Sequence, residues 1–222
     1  MRLVLVATLF TIVAAAQSDR APKAPSDIDP QSLSRLPLIQ RDKLSGEALR
    51  VYDAVVGKDA DGKDRPTPPM GPAATSLYSP GVALPMNQLN QYVRVSVVGT
   101  AMYHLCALIA AREFDEPYEW NSHETGAKRA RVDPKTIDAI KFNRPLDGVP
   151  EKDALVIRFG RAIFQDRKVG PDLYAKVVEV FGQQGMFELT AVMGDYAMAA
   201  IMLRAVDQHV PNPTNELPQI KR

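Results

Sequence analysis

Two histidines and one glutamate carry the chemistry this chain can offer. Glu119 and His123 stand four residues apart, which on a helix puts them one turn apart and within reach of each other. A carboxylate in that position holds an imidazole in one tautomer and favours its protonated form, an arrangement suited to proton transfer. His104 lies nineteen residues upstream, in a run from Val97 to Ala111 without a charged side chain. Thr100, Ala101, Ala107 and Leu108 are its helical neighbours, and Ala127 follows His123 by one turn. Small side chains around a histidine predict a ligand cavity lined by Ala101, Ala107 and Ala127. Trp120, the only tryptophan, is expected to cover part of that face, and Tyr118 to point away and pack on other helices.

The elements that must position these residues all read as helices. Apolar residues recur at helical spacing over Lys43–Val56, Gly71–Tyr78, Pro80–Val95, Ser96–Phe114 and Pro117–Arg131. Glu116-Pro117 and Asp133-Pro134 are capping residues followed by proline at the first helical position, the second opening a helix to about Lys141. Glu151–Gln165, Pro171–Phe181 and Met186–Val206 complete the set, and no run alternates like a half-buried strand. Gly57–Met70 reads as a loop with a hydrophilic tip at Asp59–Asp64; it lacks the acidic residue that would close a calcium loop. The reading is one all-α domain over 43–210, preceded by a flexible Pro-rich lead-in over 17–42 and followed by an extended tail over 211–222.

Several function classes drop out on composition. Lys and Arg number 27 against 26 Asp and Glu, with no basic patch, so no nucleic acid partner is expected. Cys106 is the single cysteine, set in an apolar run, which leaves neither a disulfide nor a redox pair within one chain. Met1-Arg2, an apolar run to Val13 and Ala14-Ala15-Ala16 read as a signal peptide over 1–16, too short to stay as a membrane span. A periplasmic or secreted protein beginning near Gln17 is expected, with no membrane attachment after cleavage. The methionines of the last helix, Met186, Met193, Met198 and Met202, read as core or subunit packing rather than ligands.

The run from Ala110 to Glu124, with its Tyr118-Glu119-Trp120-x-x-His123 core and Ala127 following, resembles the helix pair of carboxymuconolactone decarboxylase-like proteins, which include the AhpD-type peroxidases. Gly71-Pro72, Ser79-Pro80 and Gly194-Asp195-Tyr196 extend the likeness along most of the chain. The resemblance implies an AhpD-like helical bundle that forms homotrimers or homohexamers and builds its site from the two central helices. AhpD-type members have a Cys-x-x-Cys pair before the histidine; Glu116 and Glu119 stand there in this chain, which removes thiol peroxidase chemistry. His104 stands where many members have a relaying glutamate.

The expectation is therefore an exported, cofactor-free lyase of decarboxylase type, acting on a small carboxylated or lactone substrate. His123 would be the acid, Glu119 its orienting group and His104 its relay. Trp120, Arg112, Glu116 and Tyr196 would bind substrate, Arg112 holding a carboxylate and Tyr196 reaching the pocket across a subunit boundary. Two alternatives stand beside it. One is a metal site of His104, His123 and Glu119 or Glu116, although no tight metal motif is present. The other is a non-catalytic binding or assembly module on the same fold.

Overall fold

The computed structural model describes residues 25–57, 63 and 69–220. The signal peptide expected over 1–16, the first part of the lead-in and nearly all of the Asp59–Asp64 tip lie outside the described residues. Among the described residues eight α-helices follow a short 3-10 turn at Arg41–Lys43: α1 (Gly46–Val56), α2 (Pro72–Ser76), α3 (Pro80–Arg94), α4 (Gly99–Glu113), α5 (Pro117–Arg129), α6 (Pro134–Lys141), α7 (Glu151–Phe164) and α8 (Pro171–Ala205). Among the described residues there is no strand, only one isolated bridge between Asp29 and Ser34. The all-α class is thus as the periodicity predicts.

Helix α4 is the hub. It packs against α5, α6, α7 and α8, and every residue from Leu105 to Arg112 is buried. The absence of charge from Gly99 to Ala111 follows from that position, since a helix packed on most sides has little face left for solvated side chains. Leu105, Leu108, Trp120, Ile157, Leu189 and Met193 are among the fully buried side chains of this main core. A second, smaller core holds Val51 and Tyr52 of α1 with Leu77 and Ala83. The fold thus has a large bundle (α4–α8) and a smaller layer (α1–α3), and the space between them becomes important below.

Helix α8 is long and apolar enough to cross a bilayer by composition, but half of its apolar window is buried in the bundle. It is two helices in series. Gly182 has φ +72°, ψ 171°, a conformation that breaks the helix between the two segments the periodicity separates.

The described residues near both ends are tied down. The amide of Arg35 donates to Val206 O at 2.8 Å and that of His209 to Leu33 O at 2.8 Å, while Gln208 Nε2 donates to Ser32 O at 3.0 Å. The described part of the lead-in therefore lies against the end of α8, with Ile28, Ser32 and Ser34 buried, where a segment outside the core was expected. Hydrogen bonding, to which hydrophobic periodicity is blind, accounts for the difference. The extended tail runs along α5: Asn121 Oδ1 accepts from the amides of Thr214 and Asn215 at 2.8 and 2.9 Å, and Leu217 joins the main core.

Candidate active site

The site is built on the α4–α5 hairpin. The Glu116 carboxylate accepts the Tyr118 amide at 2.9 Å, and Pro117 occupies the first turn, so α5 starts at a defined residue. From that start, helical geometry turns Glu119 and His123 toward α8 and α3. The opposite side of α5 carries Trp120 and Ala127 into the main core.

His104 and His123 meet across the hairpin, Nδ1 to Nδ1 at 3.1 Å. The other nitrogen of His123, Nε2, lies 3.5 Å from Glu119 Oε2. Glu119, His123 and His104 therefore form one line of proton-sharing groups. Its inner members are 4% and 5% exposed, and His104 at the outer end is half-buried. Gly126 of α5 makes room for the His104 ring; a β-carbon there would overlap it.

Burial sets the charge state. Desolvation, then the neighbouring Glu116 and Asp195 carboxylates, push the Glu119 carboxyl up to about 8. Desolvation, then His104 and Arg94, hold His123 well below the usual imidazole range. At neutral pH the proton rests on Glu119 and the imidazole is neutral, the reverse of the ion pair expected from a helical Glu–His spacing. The expectation holds for a solvated face; here neither charge has water to stabilise it. Burial and Arg94 lower His104 as well.

Glu119 and His123 face a cavity of about 230 Å³ between the bundle and the α1–α3 layer. Its apolar wall includes Val55, Met70, Pro72, Ala73 and Met86; its polar wall includes Asn90, Arg94, Asp195 and Tyr196. Asn90 Nδ2 donates to Asp195 Oδ2 at 2.7 Å, and Arg94 Nε donates to Asn90 Oδ1 at 2.8 Å. Tyr196 packs edge-on to the His123 ring, centroids 4.4 Å apart, and its hydroxyl is hydrogen-bonded to that of Tyr103. Glu119 Oε1 and Asp195 Oδ1 are buried without a protein partner.

The other expected site residues fall elsewhere. Trp120 is fully buried on the core side, where Nε1 donates to Glu124 Oε2 at 2.5 Å; it does not line the cavity. Arg112 is buried and donates to the carbonyls of Lys141 and Pro218 at 2.9 Å each, so it ties the tail down, and it does not line the cavity. Glu116 is a helix cap outside the cavity wall. Tyr118, expected to face away, lines the cavity, its ring fitted over Gly71 where a β-carbon would stand 2.6 Å from the phenol oxygen. Tyr196 reaches the site within its own chain, not across a boundary. Ala107 and Ala127 have no exposure and Ala101 faces a separate surface hollow, so none of the three alanines lines the cavity. Small residues here let α4 and α5 approach closely instead of leaving space.

Sequence reasoning missed Asn90, Arg94 and Asp195. An Asp next to a Tyr in the stretch from Leu189 to Leu203, which has no other charged residue, was the available signal. The metal arrangement does not assemble: His104 faces Nδ1 of His123 while Glu119 faces Nε2, so the three do not converge on one point. Among the described residues no group of three or more His, Cys, Asp or Glu is placed to hold a metal ion. Cys106 is fully buried, and desolvation pushes its thiol up, away from the thiolate form.

No family model and no curated protein matches the chain. Among solved structures it is similar to the debrominase Bmp8, both in its apo form and as a cysteine-to-alanine variant in complex with 2,3,4-tribromopyrrole. Each superposition has a TM-score of 0.55 and 14% identity over 78% of this chain, with 90% of the apo chain and 89% of the complexed chain covered. The fold is therefore the all-helical AhpD-like bundle.

Proposed function

We propose that this protein is a cofactor-free enzyme of lyase type that converts a small carboxylated or lactone substrate by proton transfer beside His123. The observation that carries the reading is the Glu119–His123–His104 line opening on a cavity large enough for a small molecule. A closed core at this place would have favoured a non-catalytic module. Likeness to a debrominase, an enzyme acting on small molecules, supports the reading at the level of fold.

The chemistry follows from the charge states. A substrate carboxylate meets Arg94, the cation in the cavity wall, which takes the role expected of Arg112. Loss of carbon dioxide breaks the carbon–carboxylate bond and leaves its electron pair on carbon. The neutral Glu119 carboxyl gives its proton to that carbon, forming the carbon–hydrogen bond. His123 then returns a proton to Glu119, drawn through His104 from solvent, so each turnover consumes one proton and releases one carbon dioxide. His123 thus acts through Glu119, and Glu119 is the group that touches substrate. The test is carbon dioxide release from a panel of small β-keto and lactone carboxylates. Wild type should turn over at least one, and His123→Ala should lose turnover while keeping its helical circular dichroism; full activity in that variant removes the enzyme reading.

We also propose export with cleavage near Gln17 and assembly as a homotrimer or homohexamer. Tyr92, Val95, Val97 and Phe187 are 54–81% exposed, and Tyr92 Oη and the Val97 amide both bond Glu188, which makes one apolar patch consistent with assembly. Amino-terminal sequencing of secreted material and light scattering at micromolar concentration test these two points; an intact Met1 terminus or a monomer contradicts them.

A further inference from the structure

We propose that Tyr196 is a catalytic hydrogen-bond donor to an oxyanion, and that the cavity takes a substrate whose reacting carbon is conjugated to a carbonyl or phenol oxygen. This rests on the proton-transfer reading and names the substrate class for it. The geometry behind Tyr196 carries the inference. A phenol oxygen has one proton to give and two lone pairs to receive. Two partners sit behind this one: Asn90 Nδ2, a donor, at 3.4 Å, and the Tyr103 hydroxyl, which can give or receive the proton of their shared hydrogen bond. Tyr103 has no role in the cavity wall, so its hydroxyl is spent on Tyr196. Under this proposal an oxyanion in the cavity turns this pair so that Tyr103 donates, which leaves the Tyr196 proton for the ligand in the cavity that Tyr196 lines.

Position and chemistry agree. Tyr196 packs edge-on to the His123 ring, Glu119 lies 3.5 Å from its Nε2, and all three line the same cavity. A substrate lying along the imidazole would present carbon to Glu119 and oxygen to Tyr196. When the carbon–carboxylate bond breaks, the electron pair delocalises onto that oxygen, and a pre-placed donor stabilises the charge as it forms. Burial raises both the Tyr196 and the Tyr103 hydroxyls above the usual phenol range, so both keep their protons near neutral pH. A phenol beside a neutral carboxyl is a known way to hold an enolate in a buried site. Asn90 and Tyr103 are positioning residues, acting only through Tyr196.

The probe is 4-nitrophenol, whose phenolate absorbs in the visible and whose oxygen mimics the enolate. Bound to wild type, it should titrate with an ionisation constant that falls roughly tenfold or more in Tyr196→Phe, as expected for losing a hydrogen bond to a charged oxygen. Tyr103→Phe should lower the same constant by a smaller factor, a change that a merely packing role would not produce. Failure of wild type to bind 4-nitrophenol, or an unchanged constant in a folded Tyr196→Phe, overturns the proposal. If Tyr196→Phe does not fold, a Tyr103→Phe protein indistinguishable from wild type overturns it. Dye ionisation needs no turnover, so a negative result here leaves the relay standing. Conversely, lost relay chemistry with normal dye behaviour overturns the relay alone.

Discussion

Gly126 of α5 and His104 of α4 occupy complementary spaces: the histidine ring fills the volume that any side chain on position 126 would need. Alanine in a helix is favoured over glycine by about 1 kcal/mol, so Gly126→Ala would stabilise a free helix. In this hairpin it must instead displace the imidazole. The half-buried His104 can swing outward, so the fold should survive while the Nδ1–Nδ1 contact with His123 breaks. Thermal unfolding should shift little, and kcat should fall roughly tenfold to a hundredfold. Unchanged kcat would mean that His104 does not feed the site.

Replacing His104 by glutamate tests the relay differently. A carboxylate beside His123 favours imidazolium and lifts that group from its depressed range. The alkaline limb of the kcat/KM profile, where the Glu119–His123 pair loses its proton, should therefore move to higher pH in His104→Glu, with activity retained. His123→Ala should have no measurable limb because turnover is lost. Chelators should leave both wild type and His104→Glu unchanged.

Glu119 makes stability depend on pH. Its folded value, about 8, lies above the ordinary 4.5, so between these values the unfolded chain releases a proton that the folded chain keeps. Stability from this group is complete below the unfolded value and is lost as pH rises toward the folded one. His123 acts oppositely below its ordinary 6.5, so the fall is clearest between 6.5 and about 8. Over that window the loss should amount to about 1–2 kcal/mol. Urea unfolding across this range should show it, and Glu119→Gln should flatten it; an equal slope in the variant would place its origin elsewhere.

Two arginines separate function from scaffold. Arg94→Ala should raise KM for an anionic substrate roughly tenfold with little change in melting temperature, because Arg94 is exposed and its bond to Asn90 is a single one. Arg112→Ala should leave KM alone and cost about 2–4 kcal/mol, since two carbonyls lose their buried donor. Paired kinetic and thermal measurements decide; a KM effect confined to Arg112 would reverse the assignment of the cavity.

The helices were readable because their ends are marked chemically. Pro117 and Pro134 follow capping carboxylates, and the structure begins α5 and α6 at those prolines. The meeting of His104 and His123 was also readable, from two helices joined by a short connection. The cavity was not. Trp120 sits between Glu119 and His123 in sequence, yet a step of about 100° per residue carries it to the core side with Glu124. Asn90 and Arg94 come from α3 and Asp195 from α8, elements whose approach depends on how the small layer docks on the bundle. No local pattern encodes that distance. The charge state of the Glu–His pair failed for the same reason, because spacing alone does not report desolvation.

His104 is half-buried and takes no part in the cavity wall, so under the proposed relay substrate and hydrogen ions would enter through different doors. A ligand that plugs the cavity leaves the supply line open. Product that lingers after its carbon has been protonated can therefore lose and regain that hydrogen, each time against fresh solvent. In deuterated water the label gained per product molecule would then count the visits made before release, turning isotope content into a clock for residence time.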